Sequence, residues 1–202
     1  MFYVFDKMNQ KILIYDYSFK FLRTIHCEIW TENLFLLPDG SFLCFTPQYL
    51  YDASNGIWKM SEEGKYMEQL YHDAEKYPLV SSEWDPFYVT SSGTVGLKCP
   101  AKNEFYRYHD GKLTCVMKWI LHSKTALDFP GIENCASVKE PFWSCPIFID
   151  TDQWMFGIWG EYNGGPSEIF SLYSKQNVYI LLFDCRCRRT IFNGKSCFCQ
   201  SI

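Results

Sequence analysis

Short apolar runs recur along the chain and are cut at regular places by polar corners. Four corners share one pattern, a small or acidic residue, Gly, a polar residue and then a hydrophobe: Asp39-Gly40-Ser41-Phe42, Glu63-Gly64-Lys65-Tyr66, Ser92-Gly93-Thr94-Val95 and Asp110-Gly111-Lys112-Leu113. Strand-like runs flank them, as with Asn33 to Leu37 before Gly40 and Ser41 to Phe45 after it. Each corner therefore predicts a tight antiparallel hairpin in which glycine takes the positive φ. A fifth corner, Asp16-Tyr17-Ser18-Phe19-Lys20-Phe21, has Phe19 where the glycine would fall.

The corners form two interleaved series. Positions 19, 64 and 111 make one; positions 40, 93 and the turn-like Thr151-Asp152-Gln153 make the other. Each series repeats at roughly 45 to 60 residues, so every repeat holds two hairpins and four antiparallel strands, the pattern of a β-propeller blade. The reading is all-β: about four four-stranded blades at residues 1–25, 33–71, 84–120 and 146–183, with residues 1–25 carrying the last three strands of a blade around a middle turn at Met8-Asn9-Gln10.

Composition agrees with strands and narrows the partners. Hydrophobic residues are 48% of the chain and aromatic ones 19%, rich in types that suit a half-buried pleated surface. The net charge is −4 and the basic residues are scattered, which argues against nucleic acid as a partner. No run approaches the roughly 18 apolar residues of a membrane-spanning helix. The opening residues Met1-Phe2-Tyr3-Val4-Phe5-Asp6 lack a basic region, an apolar core of signal length and a cleavage site. They start directly on a strand, so upstream blades and any signal peptide are expected to be absent from the sequence.

The opening run FYVFDKMNQKILIYDYSFKFLRTI resembles an NHL-type blade: Asp6, Asn9, Tyr15 and Asp16 match, and Phe19 departs from it. The ordered blocks FLLPDGSFL, GIW, YPLVSSEWDP and WMFGIWG resemble the six-bladed, TolB-like β-propeller proteins of Bacteroides and its relatives, of which the chain looks like an N-terminally truncated member. The resemblance implies a propeller over residues 1 to about 175, and a periplasmic or cell-surface lipoprotein if the N-terminus is truncated. Six blades need roughly 240 to 300 residues and the chain has 202, so the resemblance implies an incomplete six-bladed ring whose open sheet edges missing blades or another chain would cover. It brings no shared activity or catalytic signature.

Chemistry-bearing motifs are sparse. No phosphate-binding glycine loop, G-x-S-x-G elbow or H-E-x-x-H helix occurs. His26, His72, His109 and His122 fall at strand ends or in loops and are read as solvated or hydrogen-bonded. Glu83 and Asp85 beside Trp84, and Glu140, Asp150, Asp152 and Glu161 in later segments, would be the carboxylates of a hydrolase or lyase; loop caps are the simpler reading. Cys44, Cys99, Cys115 and Cys145 read as buried thiols. Cys185, Cys187, Cys197 and Cys199 form two C-x-C pairs, whereas structural zinc sites use C-x-x-C knuckles. No metal, cofactor or catalytic residue is therefore expected, and the basic, cysteine-rich tail 185–202 is read as standing apart from the fold.

Aromatic loops carry the remaining signal. The segments Thr46 to Gly56, His72 to Pro86, Leu121 to Pro146 and Gly160 to Ser167 hold Tyr49, Tyr51, Tyr77, Trp84, Trp143 and Tyr162. Exposed Tyr and Trp stack on sugars and fill protein interfaces. A non-enzymatic binding or scaffold propeller for a glycan, peptide or protein is the favoured function, with an enzyme or an inactive fragment as alternatives. Tyr49, Tyr51, Trp84, Asp85 and Trp143 are the candidate binding residues, at least three of them expected on one face. Trp58, Trp119, Trp154 and Trp159 lie in strand patterns and are expected in the core.

Overall fold

A computed structural model of the chain describes residues 1–46, 56–72, 86–90, 93–99, 104–120, 128–129, 137–151, 153–162, 168–174, 180–184 and 198–200. The chain divides into two compact units, Met1–Ala74 and Glu75–Ile202.

In the first unit, β1 (Phe2–Asp6), β2 (Lys11–Tyr15) and β3 (Phe21–His26) form a three-stranded antiparallel sheet. β4 (Asn33–Leu36), β5 (Phe42–Thr46), β6 (Gly56–Met60) and β7 (Tyr66–Tyr71) form a four-stranded one. Each is a meander in chain order, as a blade requires. The two sheets meet face to face. Ile12, Ile14 and Ile25 of the first pack with Phe42, Cys44, Trp58 and Met60 of the second, flanked by Tyr3, Phe5, Leu34 and Leu36. Burying each large side chain contributes about 1.5–3 kcal/mol, so this seam is the main source of stability in the unit. Trp58 brings its own polar partner: its Nε1–H donates to Thr46 Oγ1 at 2.9 Å, and that hydroxyl donates to the Trp30 carbonyl at 2.6 Å.

In the second unit, β8 (Phe87–Val89), β9 (Val95–Cys99), β10 (Glu104–His109) and β11 (Lys112–Ile120) form the third meander. β12 (Phe142–Asp150), β13 (Trp154–Tyr162), β14 (Glu168–Ser174) and β15 (Ile180–Asp184) form the fourth. Three residues of the C-terminal tail, β16 (Phe198–Gln200), pair antiparallel with β11, placing Cys199 opposite Trp119. Phe87, Leu97, Phe105, Met117, Phe142 and Met155 are buried here. Arg107 of β10 reaches Asp150 of β12 at 3.2 Å, and that carboxylate is fully buried, so an ion pair ties the third sheet to the fourth. Lys7–Asn9 forms a three-residue 3-10 turn, Asp128 and Ser137 also take 3-10 conformation, and among the described residues no helix is long and apolar enough to cross a membrane.

The corners explain the sheets. At Asp16–Lys20, Leu37–Ser41, Ser61–Lys65 and Thr90–Thr94 the first residue's N–H donates to the last carbonyl at 2.8–3.0 Å, and its own carbonyl accepts from the fourth residue's N–H at 2.9–3.0 Å. The fourth residue is left-handed every time: Phe19, Gly40, Gly64 and Gly93, with φ of 60°, 85°, 88° and 77°. The Phe19 corner, which lacks the glycine, is therefore the same hairpin. Its strain is offset by Asp16, whose Oδ1 accepts from Ser18 N at 2.8 Å and Lys20 N at 2.9 Å. The Gly111 corner differs: His109 pairs with Lys112, leaving a two-residue turn with Asp110 at φ 49° and Gly111 at φ 77°, the type I′ pattern.

Two tryptophan expectations resolve. Trp58 is fully buried, whereas Trp154, at the start of β13, is 40% exposed and is not a core residue. Trp119 and Trp159 lie on β11 and β13.

Candidate functional site

Successive connections of an antiparallel meander alternate between its two ends. In the second sheet the corners at 37–41 and 61–65 close one end, while residues 47–55 leave from the other. In the third, the corners at 90–94 and 110–111 close one end, and residues 100–103 leave from the other. The chain also enters β4, β8 and β12 at the end away from the first corner. In the second and third sheets, then, short corners close one end, and the chain enters and leaves the sheet at the other.

Tyr49 and Tyr51 belong to the connection at the open end of the second sheet, and Trp84 and Asp85 immediately precede β8. All four lie outside the described residues, as do Glu83 and Asp152. Trp143 was expected in a loop, but it lies on β12, paired with Glu161 of β13. The strand starts before Pro146 because the register shifts between Ser144 and Ile147; a bulge there accommodates a residue without an N–H to give. Trp143 remains next to the entry end of its sheet.

Asp150 and Glu161 are on strands rather than in loops, and Asp150 is committed to Arg107. Glu140 is exposed. Of the histidines, His26 and His109 end β3 and β10, and His72 follows β7; all three are exposed, with His109 Nδ1 3.0 Å from Asp110. His122 lies outside the described residues. The cysteines seen in full are Cys27, Cys44 and Cys115, all free thiols. Burial pushes Cys27 up to about 11 and Cys44 well above the usual thiol range, so both stay protonated at neutral pH and are poor nucleophiles and ligands. Cys185, Cys187 and Cys197 lie outside the described residues. Among those described, no group of His, Cys, Asp and Glu could hold a metal ion.

The open end of the first unit is built from polar joints that sequence reading passed over. Gln10, in the left-handed conformation, donates from Nε2 to the carbonyls of Lys7 (2.6 Å) and Thr31 (2.9 Å), and its Oε1 accepts from Thr31 N at 2.6 Å. Lys7 pairs with the buried Glu32. Together they fix segment 27–32 against the turn after β1. Asp6 caps that turn, accepting from Asn9 N at 3.2 Å and from Asn9 Nδ2 at 2.9–3.0 Å. The Asp6 and Asn9 of the blade pattern are therefore structural. Trp30 Nε1 and Asn33 Oδ1 are buried with no hydrogen-bond partner among the described residues.

At the closed end, Asp39 accepts from Ser41 N at 3.0 Å and from the Ser41 hydroxyl, and pairs with Lys59 at 3.0 Å. The Ser41 hydroxyl first, then Lys59, draws its pKa down from 3.8 to about 2. A depressed carboxylate contributes stability that is present above its unfolded pKa and is lost as pH falls through the folded one. Asp39→Asn should therefore melt below the parent at pH 5, with the gap closing between about pH 4 and pH 2. The side chain is exposed, so thermal melts should show a difference below about 1 kcal/mol.

The repeated meanders, their face-to-face seam and their closed corners define blades of a β-propeller. Residues 1–134 match the family described as DUF5128, 6-bladed beta-propeller, and the chain belongs to that family. The fold matches the crystal structure of a candidate exported protein from Bacteroides fragilis NCTC 9343, with a TM-score of 0.67 and 15% identity, over 91% of this chain and 55% of that one. The chain thus spans about half the length of that protein, and at this identity the likeness is one of fold. No curated protein matches.

Proposed function

We propose that this chain is a non-enzymatic recognition or scaffold propeller that holds a glycan or peptide at the open ends of its blades. The observation that carries this reading is the asymmetry of the sheets. In the second and third sheets one end is closed by glycine corners, whereas the sequence between strands at the other is rich in aromatic residues, and binding residues concentrate in such connections on a rigid scaffold. Tyr49, Tyr51, Trp84 and Asp85 come from those connections, and Trp143 stands beside one. A hydrolase or lyase reading draws less support, because Asp150 is committed to an ion pair.

Wild-type chain and Trp84→Ala are to be compared on glycan and peptide arrays, with melting midpoints measured alongside. Truncating a central aromatic anchor costs about 2 kcal/mol or more, so binding should fall about thirtyfold with the midpoint unchanged. Retained binding, or a collapse of the midpoint, would show that Trp84 is not a binding residue.

A further inference from the structure

Two thiols meet where the sheets of the first unit join. Cys44, on β5, is fully buried in the seam with Trp58 and Met60. Cys27, one residue past β3, is half-buried and packs against the same cluster. One thiol thus comes from each side of the seam, and both are free.

Thr31 lies between them. It is fully buried, and its hydroxyl donates to the Ile29 carbonyl at 3.1 Å, which leaves the lone pairs of its oxygen to accept. Both thiols use them: Cys27 and Cys44 each hydrogen-bond to the Thr31 side chain. Two sulfurs on one oxygen are at most two hydrogen bonds apart, and the backbone keeps them so. Cys27 N donates to the Gln10 carbonyl at 3.0 Å and Glu32 N to the Phe45 carbonyl at 2.8 Å, while Cys44 is paired with Leu34 and Trp58 on its two sides.

We propose that Cys27 and Cys44 are a redox pair that closes to a disulfide across the seam, with a low-molecular-weight disulfide as the oxidant. Cys27, the more exposed, reacts first. Its sulfur gives up its proton and attacks one sulfur of the reagent, whose S–S bond breaks, and one reagent thiol leaves with the proton. Cys44 then loses its proton and attacks Cys27 Sγ; the Sγ–Sγ bond forms and the second reagent thiol leaves. The protein gives up two electrons and two protons, and the reagent takes up both. To make a bond of about 2 Å the sulfurs turn from the shared oxygen toward one another. Burial keeps both thiols protonated, so the exchange is slow while the seam is closed. Once made, the bond ties segment 27–32 to β5, the strand that leads into residues 47–55.

The test incubates the full chain with oxidised glutathione, alkylates the remaining thiols and maps the peptides by mass spectrometry without reduction. A peptide pair joined at Cys27 and Cys44 should appear, and should be lost on treatment with dithiothreitol and in Cys27→Ala. Because the bond closes a loop of the unfolded chain, the melting midpoint of the oxidised protein should rise by about 5 °C or more above that of the reduced one, with no such rise in Cys27→Ala. Four results would overturn the proposal: both residues recovered as alkylated thiols; Cys27 recovered as a glutathione adduct beside a free Cys44; either residue joined to another cysteine; or a Cys27–Cys44 bond in a chain that melts no higher than the reduced form, which would mean that the bond forms only by breaking the seam.

Discussion

Replacing Gly64 with alanine should destabilise the protein by about 2–5 kcal/mol. Two costs combine. The residue sits at φ 88°, where a Cβ costs roughly 1–2 kcal/mol, and that Cβ would lie 2.0 Å from the His26 carbonyl oxygen, a collision with backbone that overpacking estimates put at roughly 1–3 kcal/mol. The joint matters because the same corner receives the next segment: Glu28 N donates to the Gly64 carbonyl at 3.0 Å, and Tyr66 N to the Glu28 carboxylate at 2.9 Å. Gly93→Ala is the control. It takes the same kind of conformation, φ 77°, with nothing within 4 Å of the added carbon, so only the conformational cost of about 1 kcal/mol should appear. Denaturant melts of both variants measure the difference; equal losses would mean that Gly64 does not abut the first sheet.

Trp58→Ala should cost about 3–5 kcal/mol, the range for deleting a large buried aromatic, because the side chain is fully buried at the seam between two sheets. Trp58→Phe should cost about 1 kcal/mol, keeping most of the packing while losing the hydrogen bond to Thr46. On the first sheet, Leu13→Ala should cost clearly less, since Leu13 is only half-buried. Urea unfolding of the three variants tests the ordering, and a Leu13→Ala loss as large as that of Trp58→Ala would contradict it.

Much of this architecture was legible in the sequence because corners are dictated locally. A hairpin that needs a left-handed fourth residue writes glycine at Gly40, Gly64 and Gly93, and the spacing of those glycines places the strands between them. Phe19 shows the limit of that rule: Asp16 caps the corner from the side, so the backbone reaches φ 60° without glycine. Gly111 shows another limit. Its sequence resembles the other corners, but the register His109 to Lys112 is set by the whole strand pair, and that gives a shorter turn. Pro146 hid the start of β12, since a proline reads as a loop until the register shift beside it is seen.

The candidate site was less legible. Aromatic residues at strand ends carry the same pattern whether they pack or point outward, which is why Trp154 was expected in the core. The Gln10 and Lys7 contacts to Thr31 and Glu32 join residues distant in sequence, and no motif records them. Asp150 resembled a loop acid because its partner, Arg107, lies on a different sheet.

If, as proposed, recognition belongs to the open ends of the blades and not to the corners, the affinity of one array-selected glycan or peptide will separate two variants of the full chain. One carries Tyr49→Ala and Tyr51→Ala at the open end; the other carries Glu62→Ala, Lys65→Ala and Lys112→Ala at the closed corners. Affinity should fall about tenfold or more in the first, as the loss of contact aromatics requires, and stay within about twofold in the second. Loss of affinity in the corner variant, with the open-end variant binding as the parent does, would contradict it.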